Sequence, residues 1–253
     1  MKYKAIMIDV DGTLAISQER TTPTPRVIET IAKAQDKIHI GLATGRPYFL
    51  IQEIAKTLSL SGPSIVNDGA QVINLTTNET FYQQSMLHDD ISPIVEILRK
   101  NEIEFYINDD GINVPHSHEY IPKDPFSIFT TGFDNDLALM VQQEISVNPR
   151  LHVSNYISWI NGQTGILVSH KNATKQHGIL EVAKALNIST DEIIGVGDGY
   201  NDFPLLMACG LKVAMGNAVP ELKEIADYIA PSVDEDGVAD VIEKFILNST
   251  PTP

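Results

Sequence analysis

The chain has 253 residues, with 33 Asp and Glu against 18 Lys and Arg, a formal net charge of -15. That length suits one large domain or two modest ones with a full apolar core, and the charge argues against nucleic-acid binding, which needs clustered Lys and Arg to neutralise phosphates. The one cysteine, Cys209, excludes an internal disulfide and fits a reducing compartment.

The first ten residues are rich in Ile, Met and Val with no turn residue, the pattern of a strand buried in a parallel sheet. The run stops at Asp9-Val10-Asp11-Gly12-Thr13-Leu14. Carboxylates at i and i+2 leave a strand end on the same side and can converge on one ligand. One can attack while the other moves a proton. Gly12 permits a turn that a side chain would obstruct, and Thr13 adds a hydroxyl and an N–H. A solvated acidic turn would use the same residue types, so the pair alone does not decide.

Further along, helical spacing is predicted over residues 25–35, opened by Thr24-Pro25 as cap and first-turn proline, and again over 47–59. Between them the apolar run 38–43 leads to Thr44. Residues 71–83 read as a hairpin around Thr77-Asn78, 89–101 as a helix and 104–108 as a strand. A loop holding Pro115, Pro122 and Pro125 follows, then a strand at 127–133, a helix at 135–145, and strands at 151–160 and 165–169. Lys175 opens an amphipathic stretch reaching Leu186. Glu192-Ile193-Ile194 then runs into Gly195-Val196-Gly197-Asp198-Gly199-Tyr200-Asn201-Asp202, ahead of a helix at 203–208.

Strand–helix alternation in the outer segments predicts an α/β fold, a Rossmann-like parallel sheet core covered by helices on both faces. Ligands bind such sheets beyond the carboxyl ends of the strands, where Asp9, Thr44 and Asp198 would fall. Three carboxylate-bearing loops brought together would repel one another without a cation. A hard, oxygen-preferring Mg²⁺ resolves that repulsion. The middle segment predicts an α+β unit inserted between Thr44 and Lys175.

In these motifs the chain resembles the haloacid dehalogenase-like hydrolases, and among them the Cof-type phosphatases. The first motif is Asp9-Val10-Asp11-Gly12-Thr13-Leu14, the second Ala43-Thr44-Gly45-Arg46, the third Lys175 and the fourth Gly197-Asp198-Gly199-Tyr200-Asn201-Asp202. Two flanking signatures also match, Asn67-Asp68-Gly69-Ala70 and Val213-Ala214-Met215-Gly216-Asn217-Ala218. Two departures stand out: Gln176-His177 separate Lys175 from Gly178, and Asp68 interrupts the usual Asn-Gly-Ala.

The resemblance implies a Mg²⁺-dependent phosphatase for small phosphorylated metabolites such as sugar phosphates. It implies a core of residues 1–84 and 162–253, with an inserted α+β cap domain, 85–161, lying over the active site. Asp9 is the implied nucleophile, forming an aspartyl-phosphate; Asp11 is the general acid and then the base, with its backbone carbonyl on the metal. The Thr44 hydroxyl and the Gly12 and Thr13 amides are implied to hold phosphate oxygens, beside Gly45, Arg46 and Asn201. Lys175 is implied to supply positive charge to the phosphoryl group and to Asp9. The metal set is Asp9, Asp11, Asp198 and Asp202, the last orienting metal waters or Lys175.

Other residues carry paired readings. Arg46 could fork onto phosphate or a cap carboxylate, or start a helix at the surface. His116 and His118 are substrate-pocket candidates or plain loop residues, and His170 and His177 flank Lys175. Trp159 is assigned to packing between cap and core, and residues 234–237 to a turn near the active edge. Two other function classes compete with the phosphatase: a phosphomutase or phosphotransferase using the same aspartyl-phosphate, and a non-enzymatic phosphate- or metal-binding regulator. No leader and no apolar run of ~20 residues is predicted, so the expectation is a cytoplasmic protein without membrane contact. No pattern in the chain sets an oligomeric state.

Overall fold

The computed structural model describes residues 2–16, 22–115, 120–158 and 161–248. The chain opens with β1 (Ala5–Ile8), α1 (Pro25–Ala34), β2 (His39–Leu42), α2 (Tyr48–Thr57) and β3 (Pro63–Val66). A 3₁₀ turn, Asn67–Gly69, leads to β4 (Gln71–Asn74) and β5 (Thr80–Gln83). Then come α3 (His88–Lys100), β6 (Phe105–Asp109), β7 (Ile112–Pro115), β8 (Pro125–Thr130), α4 (Asn135–Ile145), β9 (Leu151–Ile157) and β10 (Thr164–His170). The alternation resumes with α5 (Lys175–Leu186), β11 (Ile193–Gly197), α6 (Phe203–Ala208), β12 (Leu211–Ala214), α7 (Pro220–Ile225), β13 (Tyr228–Ile229) and α8 (Gly237–Ile242). Two compact units result, one of residues 1–82 with 174–253, the other of 83–173.

In the first unit a parallel sheet runs β13-β12-β11-β1-β2. Every residue of β1 is buried, which is why its sequence is a continuous apolar run rather than an alternating one. Register puts Ile8 level with both Val196 and Leu42. Asp9, Ala43-Thr44 and Gly197-Asp198 therefore leave the same sheet edge side by side. β3 joins through a parallel bridge, Ala43 to Ile65, and pairs antiparallel with β4.

The helices carry the expected devices. In α1 the Thr24 hydroxyl accepts the Val27 N–H at 3.3 Å, Pro25 sits in the first turn, and Val27, Ile31 and Ala34 face the core. α5 lies close on β3, because a Cβ on Gly178 would come 2.8 Å from the Ile65 side chain. That glycine lets the helix carrying Lys175 approach the sheet.

The second unit is an antiparallel sheet, β7-β6-β8-β10-β9. Ile91, Ile94, Val95 and Leu98 of α3 and Ala138, Val141 and Ile145 of α4 pack with Ile107, Ile128, Ile166 and Val168. The inserted segment thus has its own apolar core. The predicted loop around Pro115 holds strand β7, which sequence reading missed, and the predicted strand at 127–133 begins instead at Pro125. β7 follows a tight turn in which Asp110 has φ 49° and Gly111 φ 79°, the left-handed pair of a two-residue hairpin. His116, His118 and Trp159 lie outside the described residues, as does the tail beyond Asn248. Among the described residues no helix is long and apolar enough to cross a membrane.

Candidate active site

Asp9 is the first residue past β1, its N–H bonded to the Val196 carbonyl at 2.9 Å. The chain then turns at Gly12, whose φ is +78° and whose missing Cβ would lie 2.3 Å from Asp198 Oδ2. Glycine is required there for conformation and for space. The Thr13 hydroxyl donates to Asp198 Oδ1 at 2.7 Å, tying the loop after β1 to the loop after β11. The Gly12 N–H donates to the Ala15 carbonyl at 2.8 Å and the Thr13 N–H to the Val10 carbonyl at 3.4 Å, so both amides take part in closing the loop.

Lys175 opens α5, whose N-cap Thr174 accepts the His177 N–H. Its ammonium is wholly buried between Asp9 Oδ1 and Asp202 Oδ1, each 2.7 Å away. Burial alone would lower the lysine's pKa, but the charges of Asp202 and Asp9 outweigh it and hold the group above its ordinary value, so it stays cationic. The other oxygen of Asp202 accepts the N–H groups of Asp198 and Gly199, both at 2.9 Å. Asp202 therefore orients Lys175 on one side and its own loop on the other.

Carboxylate oxygens of Asp9, Asp198 and Asp202 lie within 4.8 Å of one another. Burial, then Asp202 and Asp198, push the Asp9 carboxyl well above its usual range against the pull of Lys175. Burial and Asp202 likewise push Asp198 up to about 6, although the Thr13 hydroxyl and Lys175 act the other way. Three carboxylates share one buried lysine, and that surplus of negative oxygen fits a hard divalent cation. The Asp11 carboxylate is not in this group.

Past β2, Thr44 is buried, with its hydroxyl accepting the Arg46 N–H at 3.0 Å. The turn at 67–69 clamps this segment: the Asp68 N–H donates to the Thr44 carbonyl and the Asn67 N–H to the Arg46 carbonyl, both at 3.0 Å. Asn67, Asp68 and Gly69 have φ of 50°, 58° and 101°, three left-handed residues in a row. A Cβ on Gly69 would sit 2.1 Å from the Thr174 carbonyl group, so the same turn braces the start of α5. Space does not demand Gly45, since its nearest neighbour, the Asp68 carboxylate, would lie 3.7 Å from a Cβ.

The Arg46 side chain is buried rather than at the surface. Its Nε and Nη2 donate to Asp11 Oδ2 at 2.8 Å and Oδ1 at 2.5 Å. Asn201, expected to face phosphate, donates to Asp68 Oδ1 at 3.2 Å. His177 has its Nδ1 2.9 Å from the Thr174 hydroxyl, held at the start of α5. Sequence reading gave no role to Asn217, whose amide bridges the Gly12 carbonyl at 2.7 Å and the Val233 N–H at 2.9 Å. The Val213–Ala218 signature was its only signal. In the turn at 234–237, Asp236 accepts the Thr24 hydroxyl at 2.6 Å, linking it to the start of α1.

A family model described as haloacid dehalogenase-like hydrolase matches residues 6–127 and 112–242. The chain belongs to the haloacid dehalogenase-like hydrolases. Within that family it is 29% identical over 251 residues to 5-amino-6-(5-phospho-D-ribitylamino)uracil phosphatase of Bacillus subtilis, covering 96% of each chain. A solved haloacid dehalogenase-like hydrolase from Bacteroides thetaiotaomicron is 25% identical, with a TM-score of 0.79 over 96% of this chain and 99% of that one. The structure of a subclass IIB sugar phosphatase, 24% identical, shares the fold with a TM-score of 0.80 over 96% and 98%. The motif assignment of the haloacid dehalogenase-like, Cof-type group stands, and the enzyme class is phosphoric monoester hydrolase.

Proposed function

We propose that this haloacid dehalogenase-like hydrolase is a Mg²⁺-dependent phosphatase of small phosphorylated metabolites, foremost sugar and sugar-alcohol phosphates, working through an aspartyl-phosphate on Asp9. The observation that carries the reading is the buried Lys175 ammonium 2.7 Å from both Asp9 and Asp202, with Asp198 alongside. Lys175 engages Oδ1 of Asp9, which fixes the carboxylate and gives Oδ2 the attacking role. Attack on phosphorus forms the acyl phosphate and breaks the bond to the leaving oxygen, to which Asp11 gives its proton. Asp11 then takes a proton from water as the water oxygen attacks phosphorus and frees Asp9. Lys175 and the Thr44 hydroxyl stand against the charge on the phosphoryl oxygens.

Asp9, Asp198 and Asp202, with the Asp11 carbonyl, would hold the Mg²⁺, which when bound supplies positive charge against the phosphoryl oxygens. The inserted segment, 85–161, takes the part of a cap that selects the leaving group. The relative in Bacillus subtilis, named for a phosphorylated ribityl compound, supports a polyol-type leaving group. Cys209 is free and buried, in keeping with work in a reducing cytoplasm.

The test is phosphate release from a panel of sugar, polyol and aryl phosphates, with Mg²⁺ and with EDTA. Mg²⁺-dependent release of free phosphate, abolished by Asp9→Asn, is the expected outcome. Transfer of the group to a sugar without free phosphate would identify a mutase, and equal turnover in EDTA would refute the metal requirement.

A further inference from the structure

We propose that Arg46 is a positioning residue for the acid–base carboxylate: its fork fixes where Asp11 points and thereby governs proton transfer to the leaving group rather than grip on the phosphate. The inference rests on the phosphatase reading above.

Three observations carry it. First, Nε and Nη2 each meet a different oxygen of Asp11, a side-on fork that restricts both the place and the rotation of the carboxylate. Second, the arginine is itself immobile. Its side chain is 8% exposed, its N–H is held by the Thr44 hydroxyl, and its carbonyl accepts from Asn67. The turn that presents Thr44 therefore also presents the fork. Third, the Asp11 side chain is 38% exposed, in a turn just past β1, and outside the carboxylate group of Asp9, Asp198 and Asp202. Like charge in that group repels Asp11, and the fork holds it at the site against that repulsion.

The consequence is selective. Phosphorylation of Asp9 by a sugar phosphate breaks a P–O bond to an alkoxide, which needs the Asp11 proton as it leaves. A 4-nitrophenyl phosphate releases an anion stable without a proton, so its phosphorylation step depends little on where Asp11 points. Dephosphorylation, in which Asp11 takes a proton from water, depends on it for both substrates. The two substrates separate only in the first step.

The experiment compares wild type, Arg46→Ala, Arg46→Lys and Asp11→Asn/Arg46→Ala, all with Mg²⁺. It measures kcat and KM for a sugar phosphate, and the pre-steady-state burst of 4-nitrophenol. Arg46→Ala is expected to lower kcat for the sugar phosphate by ~10- to 100-fold, with KM and the burst rate each within about threefold of wild type. Arg46→Lys should recover little, since a point charge cannot fix a carboxylate's rotation. Adding Arg46→Ala to Asp11→Asn should cost less than about threefold more, because the residue to be positioned is already disabled. If Arg46→Ala instead raises KM for both substrates and weakens inhibition by inorganic phosphate, Arg46 grips phosphate and the proposal falls. Equal slowing of burst and sugar turnover marks general damage and overturns it as well, as does an unchanged Arg46→Ala. Absence of wild-type turnover on every phosphate would overturn the phosphatase reading, and this inference with it.

Discussion

At Lys175 a single ammonium answers two buried carboxylates, so its removal is costly whatever the chemistry. Lys175→Met leaves Asp9 and Asp202 buried without their cation, and the expected loss is about 3–5 kcal/mol of stability, read from urea denaturation. In the proposed mechanism the lysine serves the phosphoryl group and not the leaving group, so activity should fall alike for every substrate. Proton binding at Asp198 gives a second expectation. Its pKa is pushed up to about 6, so between the unfolded value and 6 the folded chain holds more protons than the unfolded one. Stability from this group is therefore present at low pH and lost as pH rises through that window. A divalent cation binds the ionised form, so Mg²⁺ should raise the melting temperature more at pH 7.5 than at pH 5, measured against EDTA at each pH. Equal shifts at both pH values would mean the cation does not bind there.

Between elements, the second unit is held by a buried acid at the start of α3. Asp90 is 1% exposed and accepts from Arg150 Nε at 3.1 and 3.2 Å, from Arg150 Nη2, and from Asn148 Nδ2 at 2.7 Å. The Arg150 fork holds its carboxyl below the usual range. That stabilisation is complete above the unfolded pKa and lost as pH falls through the folded one, opposite in sense to Asp198. Arg150→Ala should destabilise the unit by about 2 kcal/mol, seen as faster amide exchange in β6, β8 and β10 of the whole protein. In the first unit, Gly69→Ala meets φ 101° and the Thr174 carbonyl at once. It should cost more than about 2 kcal/mol and lower kcat, because the displaced start of α5 carries Lys175.

The elements legible in the sequence were those whose pattern is set locally. The buried run of β1, the capped α1 and the spacing of α4 needed no partner to be recognised. β7 was hidden because it is the edge of its sheet: Ile112 and Asn113 are exposed, so no alternation shows, and Pro115 is tolerated only because an edge strand need not donate on both sides. Asp110-Gly111 was the readable clue. In the site, carboxylates at strand ends announced themselves. The Arg46–Asp11 fork did not, because an ion pair between loops far apart in sequence depends on register, and the fate of the Gly12 and Thr13 amides depends on how the turn closes.

For the whole molecule, a net charge of -15 opposes the approach of a dianionic phosphate. The buried Lys175 attracts only at short range. Screening should therefore help: with Mg²⁺ fixed, raising salt from ~10 to ~150 mM shortens the Debye length from about 30 to 8 Å, and kcat/KM for a sugar phosphate should rise. A fall with salt would show that a local positive field, not the total charge, governs capture.

The pairing of β1 sets a schedule for making the protein. β1 is an interior strand of its sheet, between β11 and β2, yet β11 begins at Ile193, 185 residues after Ile8. At 5–20 residues per second, translation leaves that flank of β1 without its partner for ~10–40 s. Meanwhile the segment 83–173, whose apolar cluster is drawn from its own residues, is completed. The nascent chain thus carries a finished inner unit on an unfinished outer one, with an apolar strand edge open to other chains. Fragments ending before Ile193 should aggregate when expressed, and slower synthesis across residues 83–173 should lower the yield of soluble enzyme.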